Sequence, residues 1–408
     1  DGDETEVTHG NFIKFMESHD RDVRKNAYNA VYDAYKELIN TIASAYNYNT
    51  KTDEVSARIR KYESARAAAL SGDNIPAEVY DNLVAEVHKN LPAMHRYVEL
   101  RKKLLGVDKL YMYDMYVPLI KLPETSVSFE KGLDIMRDAL QPLGEEYLTK
   151  MNKGIEEGWI DVYENKGKTS GAYSFGCYDS YPYILLNYTD TLKDVFTIIH
   201  EMGHSMHSRY TRDEQPYIYG SHSIFTAEVA STVNESLLMQ HLLRTEDEKE
   251  MRKYLLNMHL EEFRTTLFRQ TMFAEFEDIT HKAIESGETL TAEWMCQQYE
   301  DLNAQYYGSA VEKDDVIRYE WARIPHFYNA FYVYKYATGY SAATAISKKI
   351  LTEGKPAAQD YIRFLKTGES DHPIELLKIA GVDMSSPLPV QQAMETFNQL
   401  LDEFESLL

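Results

Sequence analysis

The chain has 408 residues, enough for one large two-lobed enzyme or two to three average domains, and 44% of them are apolar, which supplies a substantial core. A formal net charge of −22 repels polyanions, so nucleic acid and anionic membrane surfaces are excluded as partners. No run approaches the ~18–20 apolar residues of a membrane span, and two cysteines, Cys177 and Cys296, make no disulfide framework, which fits a reducing cytoplasm.

The polar start Asp1-Gly2-Asp3-Glu4 has neither the basic nor the apolar region of a signal peptide, so none is expected. Residues 10–45 carry Phe12, Phe15, Val23, Ala27, Val31, Tyr35 and Ile39 at helical spacing and predict helix. Residues 53–70 and 76–105 predict two more, the second with Pro76 near its start, where a missing N–H costs little. A further helical stretch is expected over 128–157, after Pro123. Residues 158–188 break the pattern, with four glycines and alternating aromatics around Tyr173-Ser174-Phe175 and Tyr181-Pro182-Tyr183, and predict short strands and turns. Cys177 falls there as a small buried residue, and the extended backbone offers an edge on which a peptide could pair as an added strand. Helices resume at Thr191 and run to the C-terminus, with breaks near Gly220, Gly287, Gly308, Gly354 and Gly368.

The chemistry concentrates in residues 189–210, TDTLKDVFTIIHEMGHSMHSRY. Thr191 and Asp194 are spaced as a capping box, with Asp in place of Glu. His200 and His204 lie four apart, so their rings share one face of a helix, and two such imidazoles can converge on one Zn²⁺ at about 2.0–2.1 Å. Glu201 then sits beside the open metal position, where a general base belongs. Gly203 costs about 1 kcal/mol in a helix interior, which implies that another element packs close. His207 is about 10 Å along the axis from His200, too far to share the metal, and is expected to pack. A third histidine ligand ten residues after the first is excluded, because position 210 is Tyr.

The remaining ligand must come from another element. Residues 221–243 predict the next long helix, with Ile224, Phe225, Val229, Val233 and Leu237 on one side and Glu228, Ser231, Thr232 and Glu235 as a polar stripe. Two carboxylates in an apolar setting need partners. Either Glu228 or Glu235 can be the ligand, leaving the other to hold a ligand histidine by its second N–H.

These segments, SGAYSFGCYDSYPYILLNY, TIIHEMGHSMHS, QPY at 215–217, IFTAEVASTVNE and RIPHFYNAFYVYKYATGYSAA at 323–343, resemble the oligoendopeptidase F group of zinc peptidases, relatives of thimet oligopeptidase. Weaker likeness reaches back through RDVRKNAY and YMYDMYVPL. The resemblance implies a mainly α, two-lobed zincin-type metallopeptidase (class EC 3.4.24) with a small strand region beside the metal helix and a deep channel admitting short peptides. Residues 1–120 would form part of the channel wall and 121–408 the catalytic region. It implies one zinc ion held by His200, His204 and Glu228, with Glu235 behind a ligand histidine and Glu201 as the base that activates the zinc-bound water. It also implies a His and Tyr from the second tyrosine-rich segment at the oxyanion, assigned to His326 and Tyr332, with Tyr328 and Tyr336 as substrate contacts. Helical spacing would put Tyr328 with Tyr332, and Tyr332 with Tyr336, on one face. Full-length relatives carry a further N-terminal helical region, which is expected as a partner. Two rival readings are a zinc carboxypeptidase, with Arg323 as the carboxylate anchor, and a peptide-binding form disabled by truncation.

Overall fold

The computed structural model describes residues 5–8, 10–121 and 126–408. The opening residues Asp1 to Glu4, and Pro123, lie outside the described residues. The chain is mostly helical and divides into two compact units. One comprises Asp1–Gly72, Val87–Lys121 and Phe268–Tyr334, and the other Asp73–Glu86, Leu122–Leu267 and Lys335–Leu408. Both are discontinuous in sequence, whereas a single boundary was expected after residue 120.

The first unit is built from short helices. The expected 10–45 helix is three elements, Phe12–Met16, Arg21–Glu37 and Ile39–Ile59. Arg21–Glu37 starts at Asp20, whose carboxylate accepts from the Asp22 and Val23 amides. Its buried face is Arg24, Ala27, Tyr28 and Tyr32, so Val23 points outward instead. The helix expected at 53–70 is broken by Lys61 in the left-handed region, and 76–105 is broken at Asn90. Several of the tyrosines that fill this unit bury their rings and give the hydroxyl a partner: Tyr46 bonds Thr280 at 2.8 Å, and Tyr32 and Tyr299 donate to buried Glu320. Arg269 completes that network at 2.7 Å from Glu320. With so many partners, Glu320 stays ionised although burial alone would raise its pKa.

The second unit carries a three-stranded sheet. β1 is Ile160–Asp161, β2 is Tyr173–Phe175 and β3 is Tyr183–Leu185, in the order β1-β3-β2, so β2 is an edge. β3 pairs parallel with β1 and antiparallel with β2, placing Ser174 opposite Ile184. The 128–157 stretch is two helices, Phe129–Ala139 and Glu145–Glu156, separated by a turn at Pro142 and Gly144. Four long helices then matter for the site: α1 (Leu192–Glu214), α2 (Ile224–Thr245), α3 (Lys249–Glu262) and α4 (Tyr334–Glu353). The expected break at Gly220 falls between α1 and α2. α2 is buried on nearly every side, Phe225, Val229, Ala230, Val233, Asn234 and Leu237 included, as expected for a helix at the centre of a helical core. No helix among the described residues is long and apolar enough to cross a membrane.

Candidate functional site

α1 begins as its sequence dictates. Thr191 Oγ1 accepts from the Asp194 amide at 3.2 Å, and Asp194 Oδ2 accepts from the Thr191 amide at 2.9 Å, closing the capping box. Between two and three turns further on, α1 meets α2 at Gly203. A Cβ there would lie 2.6 Å from Ser231 Cα and 2.7 Å from the Ala230 carbonyl, so only glycine permits this approach. Asn234 Nδ2 donates to the Ile199 carbonyl at 3.2 Å, pinning α2 to the residue before the first histidine.

This crossing brings His200, His204 and Glu228 together, with one donor atom from each lying within 4.8 Å of the others. The two Nε2 atoms are 3.1 Å apart, and each lies 3.7 Å from Glu228 Oε2. Tetrahedral zinc with ligand bonds of about 2.0–2.1 Å needs donors about 3.3 Å apart. The protonation pattern fits the same occupant. His200 Nδ1 lies 3.2 Å from Glu235 Oε1, and His204 is backed by the Ala227 carbonyl. Each ring thus has an acceptor behind it and presents Nε2 to the site. Two imidazole Nε2 atoms and a carboxylate oxygen face one another, a donor set that would hold a dication in place of the proton that His200 otherwise keeps there. Ser231 Oγ lies 3.0 Å from the Glu228 carbonyl and 3.3 Å from Glu228 Oε2, so its one proton is shared between them.

The electrostatics follow. At His200 burial opposes charge, but Glu235, Glu201 and Glu228 outweigh it and raise the pKa to about 9. At His204 burial, then His200, lowers it. Glu201 is nearly buried at 7% exposure, and burial raises its pKa, partly offset by His200 and by the Ser174 backbone N–H. A carboxylate held in that state accepts a proton more readily than one in water.

His207 packs as expected: it is buried, with its ring stacked on His222 at 3.9 Å and against Phe364 at 5.5 Å. Glu228 and Glu235 both turn inward, although Ile224, placed on the apolar side by its spacing, is exposed. Cys177 corrects an expectation: it is exposed, in the turn after β2, where its amide donates to Ser180 Oγ. Cys296 is the buried one, its Sγ accepting from Trp321 Nε1.

His326, Tyr328 and Tyr332 belong to the first unit, and Tyr336, in the first turn of α4, to the second. The His326 and Tyr332 rings stand nearly parallel at 6.0 Å. Helical spacing does not apply between Tyr328 and Tyr332. A 3₁₀ turn over Pro325–Tyr328 ends, and Phe331 adopts φ 55° before α4 starts. That left-handed backbone costs a non-glycine residue about 1 kcal/mol or more. It is held by the buried Glu277, whose Oε1 accepts from the Phe331 amide at 2.6 Å. Tyr328 meets Tyr46 edge-on at 5.9 Å. Arg323, the carboxylate anchor of the rival reading, lies over the Phe12 and Tyr32 rings.

A mainly helical chain with two histidines on one helix and a glutamate on the next has the architecture of a metallopeptidase. The chain belongs to peptidase family M3, whose model matches residues 14–396. It is 53% identical over 408 residues to the oligopeptidase PepF of Bacillus subtilis, all of this chain matching but only 61% of that protein. It is 45% identical to the group B oligopeptidase PepB of Streptococcus agalactiae, covering 68% of it. The crystal structure of oligoendopeptidase-F from Enterococcus faecium superposes with a TM-score of 0.83 at 41% identity, over 100% of this chain and 67% of that one.

Proposed function

We propose that this chain carries the catalytic centre of a zinc-dependent endopeptidase that cleaves internal bonds of short, unfolded peptides. The observation that carries this is the convergence of His200, His204 and Glu228 beside the nearly buried Glu201. His200, His204 and Glu228 would hold a zinc ion, which would supply Lewis acidity for water and a carbonyl when bound. Glu201 takes the proton of the attacking water on its carboxylate and delivers it to the leaving amide nitrogen. Glu235, at His200 Nδ1, would orient the ring so that Nε2 meets the metal. His326 and Tyr332 are assigned hydrogen-bond donation to the developing oxyanion on the resemblance. The printed names of the relatives, oligopeptidase and oligoendopeptidase, support oligopeptides as the substrate class.

The test is mass-spectrometric mapping of cleavage in peptides with free and amidated C-termini, with Glu201→Gln as control. Internal cleavage that survives amidation, and a loss of about 10²–10⁴-fold in the control at unchanged zinc content, are expected. Cleavage abolished by amidation would make the chain a carboxypeptidase. Equal inactivity of both proteins with zinc bound would make it a peptide binder.

A further inference from the structure

Ser205 follows the second histidine of the metal helix and is fully buried. It lies four residues after Glu201, so the two side chains share one face of α1. Its hydroxyl donates to the Pro182 carbonyl at 3.1 Å, in the segment that enters β3. A hydroxyl carries one proton. At the 2.7 Å contact between Ser174 Oγ and Ser205 Oγ the donor is therefore Ser174. The bonds run in one direction, from Ser174 through Ser205 to Pro182, and one side chain of α1 ties down both β2 and the start of β3.

Successive side chains of a strand alternate between faces. Tyr173 and Phe175 are exposed, at 48% and 70%, so within β2 it is Ser174 that turns toward α1. Through the Ser205 contact, one turn after Glu201 on the same face of α1, Ser174 lies beside the Glu201 side chain, and its backbone N–H helps to hold that carboxylate's charge. β2 is three residues long and has β3 on one side only, so pairing alone specifies its register weakly. A slip by one residue would turn Ser174 outward and carry its amide away from Glu201.

We propose that Ser205 is a positioning residue: through Ser174 it fixes the register and roll of β2, so that the Ser174 amide orients the Glu201 carboxylate. This rests on the reading of Glu201 as the general base.

The experiment compares Ser205→Ala, Ser174→Ala, the double variant and Ser174→Thr in the zinc-loaded full chain, using a quenched fluorogenic peptide. In each single alanine variant kcat falls about ten- to a hundredfold, as small misplacements of a catalytic group do, while KM stays within about twofold. The double variant loses no more than the worse single one, because both residues act through one contact. Ser174→Thr, which keeps the hydroxyl on a strand, restores most of the rate. Zinc content is unchanged throughout, and amide exchange at residues 173–175 of the metal-free protein speeds up in Ser205→Ala. An unchanged kcat in Ser205→Ala, single losses that multiply in the double variant, or lost zinc would each overturn the proposal. Should Ser205→Ala fail to fold, Ser174→Ala, which removes the same contact from the strand side, decides it by the same readouts. A wild type without turnover would sink the peptidase reading instead. Exchange in Ser205→Ala then decides the clasp alone, and unchanged exchange overturns it.

Discussion

Each metal-site residue does its work through an atom behind it. His200 and His204 differ by four positions, yet their Nε2 atoms face one space only because Glu235 and the Ala227 carbonyl take up the other side of each ring. Glu235→Ala leaves the three ligands in place and frees the His200 ring. A loss of about 10–100-fold in zinc affinity is expected, measured by chelator competition, with the fold intact by circular dichroism. An affinity unchanged by the substitution would mean that Glu235 is not the partner that orients His200. That His200 and His204 share one face, with Glu201 beside them, was legible because four-residue spacing on a helix is a local property. The choice between Glu228 and Glu235 was not, since both lie on one stripe of α2 and only the crossing angle with α1 decides which meets the histidines. The Ser174–Ser205 contact had no sequence signal at all, because it joins a strand to a helix 31 residues away.

At the scale of elements, the centre exists because α1 and α2 touch at Gly203. Gly203→Ala pushes its Cβ into backbone atoms of α2, which have no side-chain torsion by which to move aside. Destabilisation of about 1–3 kcal/mol is expected, with weaker zinc binding, as α2 carries Glu228 away. Gly339 in α4 is the contrast: nothing lies within 4 Å of its Cβ position, so Gly339→Ala gains helix propensity and stabilises by about 0.5–1 kcal/mol. Urea unfolding of the two variants checks both signs, and similar effects at the two glycines would contradict the close-approach argument. α1 and α2 were readable from their periodicity and α1 also from its cap. The 326–332 segment was misread as helix, because no local pattern announces that buried Glu277 will hold Phe331 at positive φ. Long stretches such as 10–45 were readable as helical but not as several helices, since the breaks occur at ordinary residues such as Leu38.

For the whole molecule, stability and charge are coupled through buried acids. Glu262, at the end of α3, has its pKa raised to about 8, first by burial and then by the charge of Glu235. Its folded value lies above the ordinary 4.5, so the folded state retains a proton that the unfolded chain releases. The contribution is fully favourable below about pH 4.5 and is lost as pH rises toward 8. Glu262→Gln removes that dependence, so the metal-free variant is expected to lose less stability than wild type between pH 5 and pH 8.5 in urea titrations. Equal slopes would show that Glu262 ionises freely in the folded protein. The mainly helical class and the small sheet followed from composition and pattern. The division into two discontinuous units did not, because it depends on which segments return to pack together.

The central claim is a metal held by His200, His204 and Glu228, and anomalous diffraction from zinc-loaded crystals at the zinc edge tests it most directly. One peak per chain is expected, about 2.0–2.1 Å from both Nε2 atoms and a Glu228 carboxylate oxygen. A peak placed elsewhere, or none at full zinc loading, would contradict it.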